Sequence, residues 1–150
     1  MKICSFFGHR EIEVTNSLYA TVTAEILRAV DFGCRIFYFG GYGEYDALCY
    51  KIVTELQKRI PDIKRIYCVA REEYLRKMVR YFNKDDYDDI IFLQPSFNGW
   101  YKSIYFRNCA MIDESDYIIF YAEERENSGA YKAFKYAKKR KEKCVINLWH

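Results

Sequence analysis

The chain has 150 residues, 51% of them hydrophobic and 30% charged, with a formal net charge of +3. That length suits one domain, which buries roughly 70% of its unfolded surface, and the composition excludes intrinsic disorder. Seven glycines and two prolines exclude collagen-like or low-complexity chains, and no apolar run approaches the ~20 residues that span a membrane.

Residues 2–7 read as a strand. Ser5, Gly8, His9 and Arg10 interrupt any signal-peptide core, so a cytoplasmic location is expected. Thr15 is a candidate N-cap, followed by a stripe of Leu18, Val22, Ile26, Ala29 and Val30 that closes at Gly33. Residues 34–39 form a second strand. After a glycine cluster, Leu48, Ile52, Leu56 and Ile60 repeat every four residues until Pro61 stops the helix. Residues 65–70 are a third strand and 72–82 a helix. Residues 90–93 are a fourth strand ending at Pro95. Ile104, Asn108, Met111 and Ile112 share one helical face, and 117–121 is the fifth strand. Ala130, Ala133, Phe134 and Ala137 give the last helix a small-residue face before a sixth strand over 144–148.

Strands that are apolar throughout belong to a sheet covered on both sides. The alternation predicts an α/β fold: a single doubly wound domain over residues 1–150, with a mostly parallel six-stranded sheet and helices on both faces. The six cysteines (Cys4, Cys34, Cys49, Cys68, Cys109, Cys144) include no CxxC pair and mostly sit in apolar runs. They read as dispersed core thiols, with no metal and no cofactor implied.

Ligands of doubly wound sheets bind beyond the carboxyl ends of the strands, where strand order reverses. Three loops there carry polar or small residues: Gly8-His9-Arg10, then Gly40-Gly41-Tyr42-Gly43-Glu44-Tyr45-Asp46, and the stretch from Glu123 to Gly129 with Ser128. Glycine turns that feed helix N-termini suit phosphate, which points to an anionic, nucleotide-like ligand. The second loop is neither a dinucleotide fingerprint nor a Walker loop. Arg10 reads either as an anion clamp or as a surface residue paired to an acid. Arg107 stands beside Asn108 with the same two options, its acid partner being Asp113 or Asp116. Tyr42 and Tyr45 offer rings on which a base could stack. The lysine-rich last helix reads as a solvated face, and the small net charge sets the expectation of no nucleic-acid and no membrane partner.

Four blocks resemble one family. CSFFGHR resembles the "FTGHR" opening of the YpsA-like branch of the SLOG superfamily, and FYFGGYGEYDALCYKIVTELQKRIPDIK resembles its glycine loop and second helix. FRNCAMIDESDYIIFY is similar to its "RNRWMVDxSDxVI" block, and NSGAYKAFKYAKKRKEKCVINL to its closing "GGAxxxxxYAKKKGKxVINL". The resemblance implies a Rossmann-like domain that binds a nucleotide-derived ligand, such as a cyclic ADP-ribose derivative, as sensor or sequestering sponge in phage defence. A homodimer or higher homo-oligomer is compatible with it. The related LOG phosphoribohydrolases carry "PGGxGTxxE" with a catalytic Glu. That position is Ala133 here, which weighs against catalysis; Glu44, Asp46 and Glu123 are the substitute carboxylates, and the alternative reading is an N-glycosidase using Glu44 or Asp46.

Overall fold

A computed structural model of the chain describes residues 1–73, 86–93 and 103–150. The expected helix over 72–82 lies, from residue 74 on, outside the described residues, as does Pro95. The strands are β1 (Lys2–Gly8), β2 (Cys34–Phe39), β3 (Lys64–Val69), β4 (Asp89–Phe92), β5 (Tyr117–Tyr121) and β6 (Cys144–Asn147). The helices are α1 (Asn16–Phe32), α2 (Glu44–Gln57), α3 (Ser103–Glu114) and α4 (Gly129–Lys138).

The six strands form one sheet in the order β4-β3-β2-β1-β5-β6, and every pairing is parallel. The chain builds outward from β1 to β4, then returns to β1's other side for β5 and β6. The order therefore reverses between β1 and β5, and a crevice opens above their carboxyl ends.

Because side chains alternate along a strand, the continuous apolar runs feed two cores. Cys4, Phe6, Tyr117 and Ile119 pack with Val22 and Ile26 of α1 and Ile52 and Val53 of α2. Phe7, Ile118 and Phe120 pack with Met111 and Ile112 of α3 and Ala133 and Ala137 of α4. Ser5, the polar residue inside β1, is buried but bonded to the hydroxyl of Ser115, which in turn donates to Met111 O at 2.6 Å.

Thr15 caps α1, its Oγ1 accepting from Leu18 N at 3.0 Å, and Gly33 closes it at φ +115°. α2 ends at Gln57, short of the expected stop at Pro61. Proline disfavours helical backbone at the preceding residue, so the last turn loosens, and Ile60 still packs against the core from the connection. Five cysteines are buried, Cys144 is half-buried, and all six are free thiols. No described helix is long and apolar enough to cross a membrane.

A cleft at the carboxyl edge of the sheet

The ends of β1, β2 and β3 and the N-terminus of α4 surround a cleft of about 880 Å³, with α3 along one wall. Gly8, His9, Arg10, Gly40, Gly41, Tyr42, Asp46, Arg107, Asn108, Ser128 and Gly129 all line it. Gly43 does not. It starts α2 at φ +98°, with Arg10 Cα only 3.1 Å from where its Cβ would be.

The glycines serve the protein before they could serve a ligand. A Cβ on Gly8 would lie 2.2 Å from the ring of Tyr45, and one on Gly41, at φ +71°, 2.3 Å from the ring of Tyr67. A Cβ on Gly40 would lie 2.9 Å from the Arg107 guanidinium. The N–H groups of Gly40 and Gly41 each donate to the Asp46 carboxylate at 3.1 Å. Those amides, which the sequence suggested for phosphate, are occupied by a carboxylate. Burial pushes the Asp46 carboxyl up to about 6, while the two amides and the Arg107 charge hold it down.

Gly129 differs. A Cβ there meets nothing within 4 Å. Ser128 caps α4, its Oγ accepting from Tyr131 N at 3.1 Å. The N–H groups of Gly129 and Ala130 have no acceptor among the described residues, and both residues line the cleft. The free amides of a helix start suit an anion.

Arg107 lines the same cleft. Neither Asp113 nor Asp116 pairs with it: Asp113 holds Arg140 and Tyr136, and Asp116 accepts from Ile3 N. Arg107 instead donates to Gly40 O at 3.1 Å, Cys68 O at 3.4 Å and Asn108 Oδ1 at 3.1 Å. Among the described residues no carboxylate lies within ion-pair distance, although Asp46 acts on it through space. Burial pulls its pKa down. Asn108 is only 8% exposed, and with its Oδ1 engaged its Nδ2 has no partner among the described residues. A guanidinium with no paired carboxylate and an amide donor with no protein acceptor among the described residues therefore share one wall, both reached from the cleft.

His9 is structural. Its Nε2 accepts from Glu123 N at 2.7 Å, which leaves the proton on Nδ1, facing Ser128 Oγ at 3.5 Å. The ring thereby ties β1 to the loop that starts α4. Burial, then the nearby Arg125 charge, lowers its pKa. Arg10 is exposed and lies over the Tyr42 ring at 4.6 Å, with no acid paired to it among the described residues. Glu44 does not line the cleft; its carboxylate accepts from Ile12 N at 2.9 Å. Tyr67 at the end of β3 and Arg125 also line the cleft, and neither was anticipated. The signal for Arg125 was present, as a basic residue in the loop leading into α4.

No protein-family model and no curated protein matches the chain. Solved structures do. DNA processing protein A (DprA) from Streptococcus pneumoniae matches at a TM-score of 0.59 and 13% identity, over 96% of this chain and 49% of that one. DNA processing protein A from Helicobacter pylori matches at 0.59 and 15%, over 97% and 64%. The chain thus spans about half of the first protein and less than two thirds of the second. The fold is Rossmann-like α/β.

This likeness corrects one expectation. The H. pylori protein of the same fold binds single-stranded DNA, so a nucleic-acid partner is not excluded here. The exclusion relied on a net charge of +3, which averages over an uneven surface. Residues 129–143 alone carry seven basic side chains and one acidic one.

Proposed function

We propose that the chain is a binding protein whose cleft takes a phosphorylated, nucleotide-derived small molecule, as its resemblance to the SLOG superfamily implies. The observation that carries this reading is Arg107, a guanidinium on the cleft wall that pairs with no carboxylate among the described residues, beside an Asn108 Nδ2 that likewise has no partner among them. A phosphate between them and the Gly129 and Ala130 amides would take charge-assisted bonds from one side and helix N–H groups from the other. Tyr67 and Tyr42 supply rings for the base. DprA gives indirect support, since single-stranded DNA is a chain of phosphorylated nucleosides.

Binding is favoured over hydrolysis. Glu44 braces the backbone of Ile12 away from the cleft, both Asp46 oxygens accept loop amides, and Ala133 faces the core. A domain of this kind acts as sensor or sponge for a signal such as a cyclic ADP-ribose derivative.

The test is incubation with ADP-ribose, cyclic ADP-ribose and AMP, followed by thermal melting and chromatography of the mixture. The reading expects a raised melting temperature with at least one of them and recovery of that compound intact. No shift with any, or release of free base, overturns it.

A further inference from the structure

Away from the cleft, α4 shows a second surface. Its alanines, Ala130, Ala133 and Ala137, are buried against the sheet. Lys132, Lys135, Lys138 and Lys139 are exposed on the other sides, and Lys141 continues the series past the helix end. None of these five lysines pairs with a carboxylate among the described residues; the basic partner of Asp113 is Arg140. They border a groove of about 650 Å³ whose other wall is Tyr105 of α3, with Tyr136 between. Tyr105 is 37% exposed and meets Tyr136 edge-on, ring centroids 6.5 Å apart. No described residue lines both this groove and the cleft.

The charge is concentrated here. Seven basic residues and one acidic one lie between residues 129 and 143, so the rest of this +3 chain is net negative. Lys132, Lys135 and Lys139 follow one another at steps of three and four, a stripe rising about 10 Å along the helix. A stripe of that length meets successive anions of a polymer rather than one small ion.

We propose that this groove binds single-stranded nucleic acid, the lysine stripe tracking the phosphates while Tyr105 provides a face for a base. Cations following a backbone beside an exposed ring are the combination that single strands require. A bilayer is a poorer fit, because membrane-surface helices insert their apolar face, and that face of α4 is already buried by the sheet.

The test is fluorescence anisotropy with a labelled oligothymidylate, titrated over a range of salt. Wild type should bind, with log affinity falling linearly against log salt. The Lys132→Glu/Lys135→Glu/Lys139→Glu triple variant should lose at least about tenfold, with the salt slope reduced by about 2, at ~0.7 per phosphate contact. Tyr105→Ala should weaken binding several-fold with the slope unchanged. Saturating ADP-ribose should not displace the oligonucleotide, which separates this groove from the cleft whichever way the cleft reading falls. Unchanged melting curves establish that the variants are folded. The proposal is overturned if wild type does not bind at low salt, or if the folded triple variant binds as wild type does. Equal affinity for polyglutamate or for phosphatidylserine vesicles overturns it too, as does displacement by ADP-ribose.

Discussion

Arg107 donates to the carbonyl oxygen of Gly40 at 3.1 Å, joining α3 to the end of β2 across the wall of the cleft. Gly40 has no side chain in the space that the guanidinium occupies. The same group that could bind an anion also holds the loop. Arg107→Ala should therefore lower stability by about 1–3 kcal/mol and also weaken ADP-ribose binding, because carbonyls in the wall lose their donor. Arg107→Lys keeps the charge without the fork and should fall between. Arg10→Ala, at an exposed position over Tyr42, should cost less than about 1 kcal/mol in either measurement. Chemical denaturation and calorimetry of the three variants check this; a larger binding loss in Arg10→Ala than in Arg107→Ala would reverse the assignment.

Gly8 and Tyr45 share one volume. Tyr45 is fully buried, its hydroxyl donating to Ile119 O at 3.2 Å and its ring stacked on Tyr121. Gly8→Ala should destabilise the fold by about 1–3 kcal/mol through overpacking, before any ligand is considered. Gly8→Ala combined with Tyr45→Leu should recover part of that loss. Denaturant unfolding of the single and double variants checks this, and a Gly8→Ala variant as stable as wild type would mean that Tyr45 has room to move.

The strand succession was legible because each apolar run ends at a glycine or a polar loop, and because two-sided burial leaves no alternation. The loops of the cleft were legible for the same reason: Gly8 ends a strand, Gly40 directly follows one, and Ser128 lies in the loop after β5. The purpose of each glycine was not. A glycine next to a buried ring and one next to a phosphate look identical in sequence, and only the packing of Tyr45, Tyr67 and Arg107 tells them apart. Arg107 illustrates a second limit. Asp113 is near it in the chain but six residues along the helix, not the three or four that bring side chains together, and Arg140 of the next segment reaches it instead.

Two groups give the stability opposite pH slopes. The folded pKa of Asp46 is raised from 3.8 to about 6, so its favourable contribution is complete below 3.8 and is lost as pH rises to about 6. The folded pKa of His9 is lowered from 6.5, so its contribution is present above 6.5 and is lost as pH falls. Asp46→Asn should remove the first effect, making stability rise more steeply with pH between 3.8 and about 6. Denaturant unfolding across that window checks it. A variant whose pH profile parallels that of wild type would show that Asp46 titrates at its ordinary value.

The same carboxylate contributes to the charge of the cleft, together with His9 and the arginines that line it. ADP-ribose carries diphosphate charges that do not titrate near neutrality, so affinity for it should increase as pH falls through about 6 and Asp46 becomes neutral. Asp46→Asn should reduce that dependence without abolishing it, because His9 also lines the cleft and gains a proton as pH falls. A pH-independent affinity in wild type would place the diphosphate away from Asp46.

In the proposed complex the anion sits at the start of α4 and not on the Gly40–Gly41 amides, and calorimetric titration of Gly129→Val with ADP-ribose decides between the two seats. A side chain at Gly129 meets no protein atom within 4 Å, so the variant should fold and melt as wild type does, while the added methyl groups occupy the phosphate seat. Binding should weaken by at least about 2 kcal/mol, on the scale of a charge-assisted hydrogen bond. A folded Gly129→Val protein that binds ADP-ribose as tightly as wild type would contradict the seat at α4.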